Sequence, residues 1–190
     1  MDALERAFAA TPREDFLHDD ERDRAAVDGP LPIGGGQTSS QPRTVRDMLR
    51  LLDVQPGHSV LDVGAGSGWT TALLAHLVGD GGRVHGVELR ADLAAWGAAN
   101  LARTGRSWAD LVAADPGVLG APSLAPFDRV LVSAMADRVP GELVAQLGPE
   151  GVLVVPVAGR MLRLRRDASG SLRTSEHGAY RFVPLVRDPT

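Results

Sequence analysis

Apolar residues recur with two alternating periods along the chain, and this alternation predicts parallel strands connected by helices. Short apolar runs bounded by turn residues are typical of buried strands. Five such runs occur, at Ser59–Val63, Arg83–Glu88, Leu111–Ala114, Asp128–Ser133 and Gly151–Val157. Helical patterns lie between most of them, over Trp69–Val78, Ala91–Arg103 and Gly141–Leu147. This order predicts a single α/β domain with a Rossmann-like, doubly wound and mostly parallel sheet.

Both ends of the chain depart from this alternation. Asp2–Ala10 and Pro42–Leu52 carry apolar residues at helical spacing, and no convincing strand is visible between them. Met161–Arg166 and Tyr180–Val186 are interpreted as two strands without an intervening helix. Such a pair predicts an antiparallel C-terminal hairpin at one edge of the sheet.

Composition narrows the class of protein. Hydrophobic residues make up 44% and charged residues 23% of the 190 positions, which is typical of a folded soluble domain. The net charge of -4 argues against general binding to nucleic acids or anionic membranes. Cysteine is absent and the five histidines are scattered, so no metal site is expected. A charged N-terminus and the lack of a long apolar run lead us to expect a cytoplasmic protein.

The chain from Gly64 to Gly68 has the pattern Gly-x-Gly-x-Gly between a predicted strand and a predicted helix. Glycines there allow a tight turn, and the start of the helix offers free N–H groups to a ligand. Glu88 closes the next strand, where a carboxylate can accept both hydroxyls of a ribose, and Asp115 closes the third. A dinucleotide fingerprint would have its third glycine at Trp69. The pattern therefore favours S-adenosylmethionine, as in class I methyltransferases, over a nicotinamide cofactor.

A second glycine-rich segment, Leu31–Pro42, reads LPIGGGQTSSQP. With no strand leading into it and no lysine after it, it does not fit a phosphate-binding loop. This segment is similar to the substrate-side loop of protein-L-isoaspartate O-methyltransferases. Further stretches resemble the same family, namely AFAATPREDFL, VLDVGAGSGWTTALLAHLVG, APFDRVLVSAM, GPEGVLVVPVAG and YRFVPLV. The most specific signals are Gln-Thr-x-Ser-x-Pro in the loop and Phe-Val-Pro-Leu near the C-terminus.

The resemblance implies a carboxyl O-methyltransferase that uses S-adenosylmethionine to methylate L-isoaspartyl residues in damaged proteins or peptides. It implies that Ser40, together with Thr38, lies at the catalytic position. The implied cofactor-binding residues are Gln37, Thr38, Ser39, Ser40, Asp62, Gly64, Ala65, Gly66, Ser67, Glu88, Leu89, Asp115 and Pro116. The implied substrate-side residues are Ile33, Gly34, Gly35, Val183 and Pro184. We expect a monomer in which residues 1–57 supply the N-terminal helices and substrate loop and residues 58–190 the Rossmann-like core.

Two positions differ from the pattern of the family. Pro116 stands where an N–H donor to the adenine ring is usual, and proline has none. Gly35 stands where a bulkier residue is common, so we expect a wider site there. A carboxylate acceptor is already ionised at neutral pH, which fits a loop that offers hydroxyls and no strong base.

Three alternatives remain open from the sequence. A related carboxyl methyltransferase could act on a biosynthetic peptide or a small-molecule carboxylate. A second possibility is a module that binds S-adenosylmethionine without turnover. The third, a nicotinamide-dependent dehydrogenase, is disfavoured by Trp69 and by the lack of a second substrate domain.

Overall fold

A seven-stranded sheet forms the centre of the computed structural model, which describes residues 2–186. The strands are β1 (Leu31–Gly34), β2 (Gln37–Ser39), β3 (Ser59–Val63), β4 (Arg83–Glu88), β5 (Ala109–Ala113), β6 (Phe127–Val132), β7 (Leu147–Val157), β8 (Arg160–Arg166) and β9 (Leu172–Ala179). The helices are α1 (Ala3–Ala9), α2 (Pro42–Leu52), α3 (Trp69–Val78), α4 (Ala91–Ala102) and α5 (Gly141–Ala145). Short 3-10 turns lie at Arg13–Phe16, Asp19–Arg24 and Pro122–Leu124.

The strand order of the sheet is β5-β4-β3-β6-β7-β8-β9, and β1 pairs only with β2 in a separate hairpin. Strands β3 to β7 are parallel, whereas β8 and β9 are antiparallel. The predicted α/β fold is therefore confirmed. Because β4 and β6 lie on opposite sides of β3, the connections diverge there and leave a crevice at the carboxyl ends of the strands.

The central strands are buried on both faces. Val60 and Leu61 are neighbours in β3, yet both are fully buried because successive side chains point to opposite faces. Helices α2, α3 and α4 cover one face, and α5 with the irregular chain around Leu119 covers the other. Helix α3 is apolar on nearly all sides, as its position beneath α1 and α4 requires. The crevice thus opens from a rigid, densely buried platform.

The C-terminal hairpin is antiparallel as predicted, but its second strand is Leu172–Ala179 and not Tyr180–Val186. Strand β9 pairs along the whole of β8 and is exposed on both faces at the edge of the sheet. An edge strand in water needs no apolar pattern, so its polar sequence gave no strand signal. The chain over 180–186 turns instead across the carboxyl ends of the strands. There the N–H of Met135 donates to the carbonyl of Val183 at 2.7 Å.

Other elements also differ from the sequence expectation: β5 begins at Ala109 and not at Leu111, and β7 begins at Leu147 and not at Gly151. Leu31–Gly34 and Gln37–Ser39 form a β-hairpin, which was not predicted because each strand is only three or four residues long. Helix α5 ends at Ala145, before the predicted end, because Leu147 already pairs with Phe127 of β6. Among residues 2–186, no helix combines the length and apolar character needed to cross a membrane.

Candidate functional site

The glycine loop between β3 and α3 is held by backbone contacts to β4. The N–H groups of Gly64 and Ala65 both donate to the carbonyl of Val87, at 2.9 and 3.1 Å. Gly64, Gly66 and Gly68 have φ of 78°, 55° and 85°, values that other residues adopt only with strain. The sequence folds into this turn because glycine stands at each left-handed position.

Helix α4 packs against the glycine loop so closely that it also requires a glycine. A Cβ on Gly97 would lie 2.5 Å from the carbonyl oxygen of Gly66, which is nearer than such atoms can approach. Three residues later, the buried amide of Asn100 donates to the carbonyl of Ser67 at 3.0 Å. Neither Gly97 nor Asn100 was a predicted site residue, although a glycine inside an alanine-rich helix is a signal of close packing.

The carboxylate of Glu88 faces the glycine loop from the end of β4. It is only 7% exposed, and it accepts hydrogen bonds from the N–H groups of Gly66 and Arg90, both at 3.0 Å. A carboxylate held by two backbone N–H groups is fixed in position and keeps further lone pairs for ligand hydroxyls. Glu88 therefore can bind a vicinal diol at this point of the crevice.

Asp62 lies beneath the loop and is completely buried. The hydroxyl of Thr71 donates to one of its carboxylate oxygens at 2.7 Å, while the other oxygen has no hydrogen-bond partner among residues 2–186. Burial, opposed by the hydrogen bond from Thr71 and aided by the neighbouring charge of Glu88, raises the pKa of Asp62 to about 7. Asp62 therefore titrates near neutral pH. It lines none of the cavities described below.

Three adjoining cavities occupy the crevice. The inner cavity, of about 100 Å³, lies between the glycine loop, Glu88 and the chain at 183–186. The outer cavity, of about 540 Å³, lies between α2 and the chain at 178–183. A connecting cavity of about 30 Å³ lies next to Ser40 and the glycine loop. Thr38 and Ser133 line all three cavities, so a group bound at these hydroxyls is reached from both sides.

The predicted site residues divide among these cavities. The inner cavity is lined by Ile33, Gln37, Thr38, Gly64, Gly66, Glu88, Leu89, Val183 and Pro184. The connecting cavity adds Ser39, Ser40, Ala65 and Ser67. Five predicted residues line none of the three cavities, namely Gly34, Gly35, Asp62, Asp115 and Pro116. Ser133 and Leu119 line the site without having been predicted, because a serine at a strand end and a leucine in a loop carry no motif.

Gly35 does not widen the site as expected. The guanidinium of Arg90 occupies the space beside it, since a Cβ on Gly35 would lie 2.4 Å from Arg90 Nε. Arg90 also lines the inner cavity and forms an ion pair with Asp92 at 3.2 Å. The room that a missing side chain leaves in the hairpin turn is thus filled from α4.

The hairpin is tied to the N-terminal segment by Arg13, which is only 5% exposed. Its Nε donates to Ser39 Oγ at 3.1 Å, and its Nη2 donates to the carbonyl of Ser39 at 3.0 Å. Further bonds run to the carbonyls of Val27 and Gly29, at 3.1 and 3.0 Å. Burial lowers the pKa of Arg13 to about 10, which leaves it charged at neutral pH. The side chain of Ser39 is therefore engaged by Arg13.

The connecting cavity contains no titratable side chain among its lining residues. Its polar groups are the hydroxyls of Thr38, Ser39, Ser40, Ser67, Thr70 and Ser133 together with backbone amides. Such groups can orient and partly desolvate an anion but cannot remove a proton at neutral pH. The arrangement therefore suits transfer to an acceptor that is already ionised.

Comparisons with known proteins show which family the chain resembles. The family model of protein-L-isoaspartate(D-aspartate) O-methyltransferase matches residues 1–189. A protein-L-isoaspartate O-methyltransferase of Methanopyrus kandleri is 45% identical over 184 residues, covering 95% of this chain and 81% of the relative. The enzyme of the same name from Roseiflexus castenholzii is also 45% identical, covering 95% and 82%.

Two solved structures share the fold over nearly the whole chain. A protein-L-isoaspartate O-methyltransferase structure is 26% identical with a TM-score of 0.86, covering 98% of this chain and 62% of that one. A Plasmodium falciparum structure described by the same activity, in complex with S-adenosyl-L-homocysteine, is 22% identical with a TM-score of 0.84. The match covers 99% of this chain and 92% of the Plasmodium falciparum chain, and at 22% identity it supports the fold alone.

Proposed function

The chain belongs to the protein-L-isoaspartate(D-aspartate) O-methyltransferase family, and we propose that it methylates L-isoaspartyl residues of damaged proteins or peptides with S-adenosylmethionine. The observation that carries this proposal is that three cavities meet at Thr38 and Ser133. The connecting cavity at this point is lined by hydroxyls, and no titratable side chain is among its lining residues. A methyl donor in the inner cavity and a carboxylate from the outer cavity would meet there.

The inner cavity has the groups that S-adenosylmethionine needs. We assign Glu88 to the ribose hydroxyls and the backbone of residues 64–67 to the methionine portion, beside Gln37 and the hydroxyl residues that follow it. Leu89 and Leu119 offer apolar surface to the adenine ring. Asp115 and Pro116 remain proposed adenine neighbours, although they lie outside the lining of the cavity. When bound, the cofactor supplies an electrophilic methyl group on a positively charged sulfur.

The acceptor side holds and aligns a carboxylate. An isoaspartyl carboxyl group has a reference pKa near about 4 and is ionised at neutral pH. We assign the hydroxyl of Ser40 to donate to one carboxylate oxygen, with Thr38 beside it, while the other oxygen attacks with a lone pair. One C–O bond forms as one C–S bond breaks, so no proton is transferred and no base is required. Hydroxyl donors suit this task because an ion pair would stabilise the nucleophile and slow it.

The substrate backbone is assigned to the hairpin around Ile33 and to the backbone around Val183 and Pro184. Gly34 and Gly35 would border it from the turn of the hairpin. We also propose a single domain in which residues 1–57 supply the N-terminal helices and the substrate loop and residues 58–190 the Rossmann-like core. The partner is thus a peptide or protein, and we propose a cytoplasmic monomer that binds neither nucleic acid nor membranes.

An assay with matched peptides tests the proposal. An isoaspartyl peptide and its normal aspartyl counterpart are each offered with methyl-labelled S-adenosylmethionine. Label that enters only the isoaspartyl peptide, in base-labile form, supports the proposal. Label in neither peptide, together with a clear thermal shift by the cofactor, would instead indicate another carboxylate substrate or a module without turnover.

A further inference from the structure

Two arginines line the outer cavity from different walls. Arg43 lies in the first turn of α2, and Arg181 lies in the chain that follows β9. Both are exposed, and in the described part of the chain neither guanidinium forms a hydrogen bond or an ion pair. A guanidinium on the wall of a cavity that makes no hydrogen bond of its own can still donate to a ligand.

The carboxylates near these arginines accept hydrogen bonds from groups other than the two guanidiniums. Asp28 accepts from the backbone N–H of Arg43 and from the side-chain amide of Gln41, both at 2.9 Å. Asp47, which lines the same cavity, accepts from the hydroxyl of Tyr180 at 3.1 Å. The charged side chains lining the outer cavity are therefore two guanidiniums and one carboxylate that is already hydrogen bonded. Asp28 lies next to Arg43 but outside the lining, so the lining itself carries two positive charges and one negative charge.

The arginines are separated from the reacting group. Neither Arg43 nor Arg181 lines the connecting cavity, where the carboxylate to be methylated would lie against Ser40. Ser40 and the two arginines nevertheless line one continuous outer cavity. Since an extended peptide advances about 3.3–3.6 Å per residue, side chains close to the reacting residue would pass along these walls.

We propose that Arg43 and Arg181 form a subsite for a second carboxylate, so that the preferred acceptors are isoaspartyl peptides with an acidic neighbour. The second carboxylate is the side chain of Asp or Glu within two residues of the isoaspartyl residue, or a C-terminal carboxylate at that distance. Guanidinium groups recognise carboxylates through paired hydrogen bonds, which makes this the chemistry that the two side chains fit best. The inference rests on the proposed function, because the isoaspartyl residue defines where the peptide lies.

The test uses capped isoaspartyl peptides that differ at one neighbouring position, which is Glu, Gln or Lys. A fourth peptide has Gln at that position and a free C-terminal carboxylate in reach. We expect KM for the Glu peptide to be about three- to tenfold below that for the Gln peptide, as exposed ion pairs give, and the Lys peptide to be worst. The preference should shrink as salt is raised. A low KM for the fourth peptide would assign the subsite to terminal as well as side-chain carboxylates.

Variants of the two arginines test whether the preference for the Glu peptide depends on Arg43 and Arg181. In Arg43→Gln/Arg181→Gln, KM for the Glu peptide should rise to that for the Gln peptide. The control Arg173→Gln removes an exposed arginine of β9 that lines no part of the outer cavity, and it should keep the wild-type ratio. Because all three side chains are exposed, their removal leaves the core intact, which a thermal melt checks.

The outcomes separate this inference from the proposed function. Equal KM values for the Glu, Gln and Lys peptides, with methylation of each, would overturn the subsite and leave the function standing. If no isoaspartyl peptide is methylated, calorimetric binding of the same peptides in the presence of S-adenosylhomocysteine decides. Tighter binding of the Glu peptide then supports the subsite, and equal affinities overturn it.

Discussion

The floor of the inner cavity comes from the middle of the chain, with residues 33–38 and 183–186 closing it, whereas the outer cavity is bounded mainly by the two ends of the chain. The walls of the inner cavity are the ends of buried parallel strands, fixed by backbone bonds such as Ala65 N–H to Val87 O. Apart from Ser133, the walls of the outer cavity come from residues 30–47 and 178–183. They are joined by side chains that are distant in sequence, such as Tyr180 and Asp47. Backbone geometry thus holds the cofactor side, and side-chain contacts hold the acceptor side.

The contrast between the inner and outer cavities is tested most strongly by substituting Glu88. We expect Glu88→Ala to weaken the binding of S-adenosylmethionine about 100-fold or more, because it removes a charged acceptor of two hydroxyls. Calorimetry of cofactor binding measures the effect. In the control Glu88→Gln the shape is kept and one acceptor oxygen remains, so the loss should be smaller. Unchanged affinity in Glu88→Ala would contradict the assignment of the ribose.

Substituting Ser40 on the acceptor side should lower turnover and leave cofactor affinity unchanged. We expect Ser40→Ala to lower kcat by about 10- to 100-fold, since one donor to the reacting carboxylate is lost. Cofactor affinity should stay near the wild-type value, because the backbone of the glycine loop is unaffected. Ser40→Thr keeps a hydroxyl and should recover part of kcat. Equal losses of cofactor affinity in Ser40→Ala and Glu88→Ala would remove the distinction between the two sides.

The buried carboxyl of Asp62 should have a smaller effect, on the pH dependence of the free energy of unfolding. Its pKa of about 7 in the folded state exceeds the value of about 3.9 in an unfolded chain, so the folded state binds more protons between these values. The free energy of unfolding should therefore fall as pH rises, by about 1.4 kcal/mol between about pH 6 and about pH 8. Asp62→Asn should remove this part of the slope.

Urea denaturation of both proteins at the two pH values measures the difference. The same slope in Asp62→Asn and wild type would show that another group causes it. A lost slope would show that the platform beneath the glycine loop, and not only its surface, responds to protons near neutrality.

The cofactor side could be predicted from the sequence because its signals are local. A strand, a glycine turn and a helix follow one another from Ser59 to Val78, and Glu88 ends the next strand. The acceptor side could be predicted only through resemblance to a family. Its two hairpin strands are too short for a periodic pattern, and the chain at 180–186 is apolar without being a strand.

Residues that act through packing could not be predicted from the sequence. Gly97 is required by the approach of one helix to a loop, and Arg90 fills the space beside Gly35 from a different element. Ser133 enters the site because β6 lies next to β3, which is a property of the strand order. Each of these contacts depends on distances between elements, and a single sequence does not contain those distances.

The side chain of Arg13 has a consequence for how the acceptor side moves. One guanidinium holds the N-terminal segment, the chain at 25–29 and Ser39, which is 26 residues further along. Releasing any one of these segments would leave a buried charge with unmatched donors, a cost that discourages partial opening. We therefore expect residues 13–39 to unfold together rather than segment by segment. Through Ser39, the hydroxyl-lined connecting cavity is thus tied to the beginning of the chain.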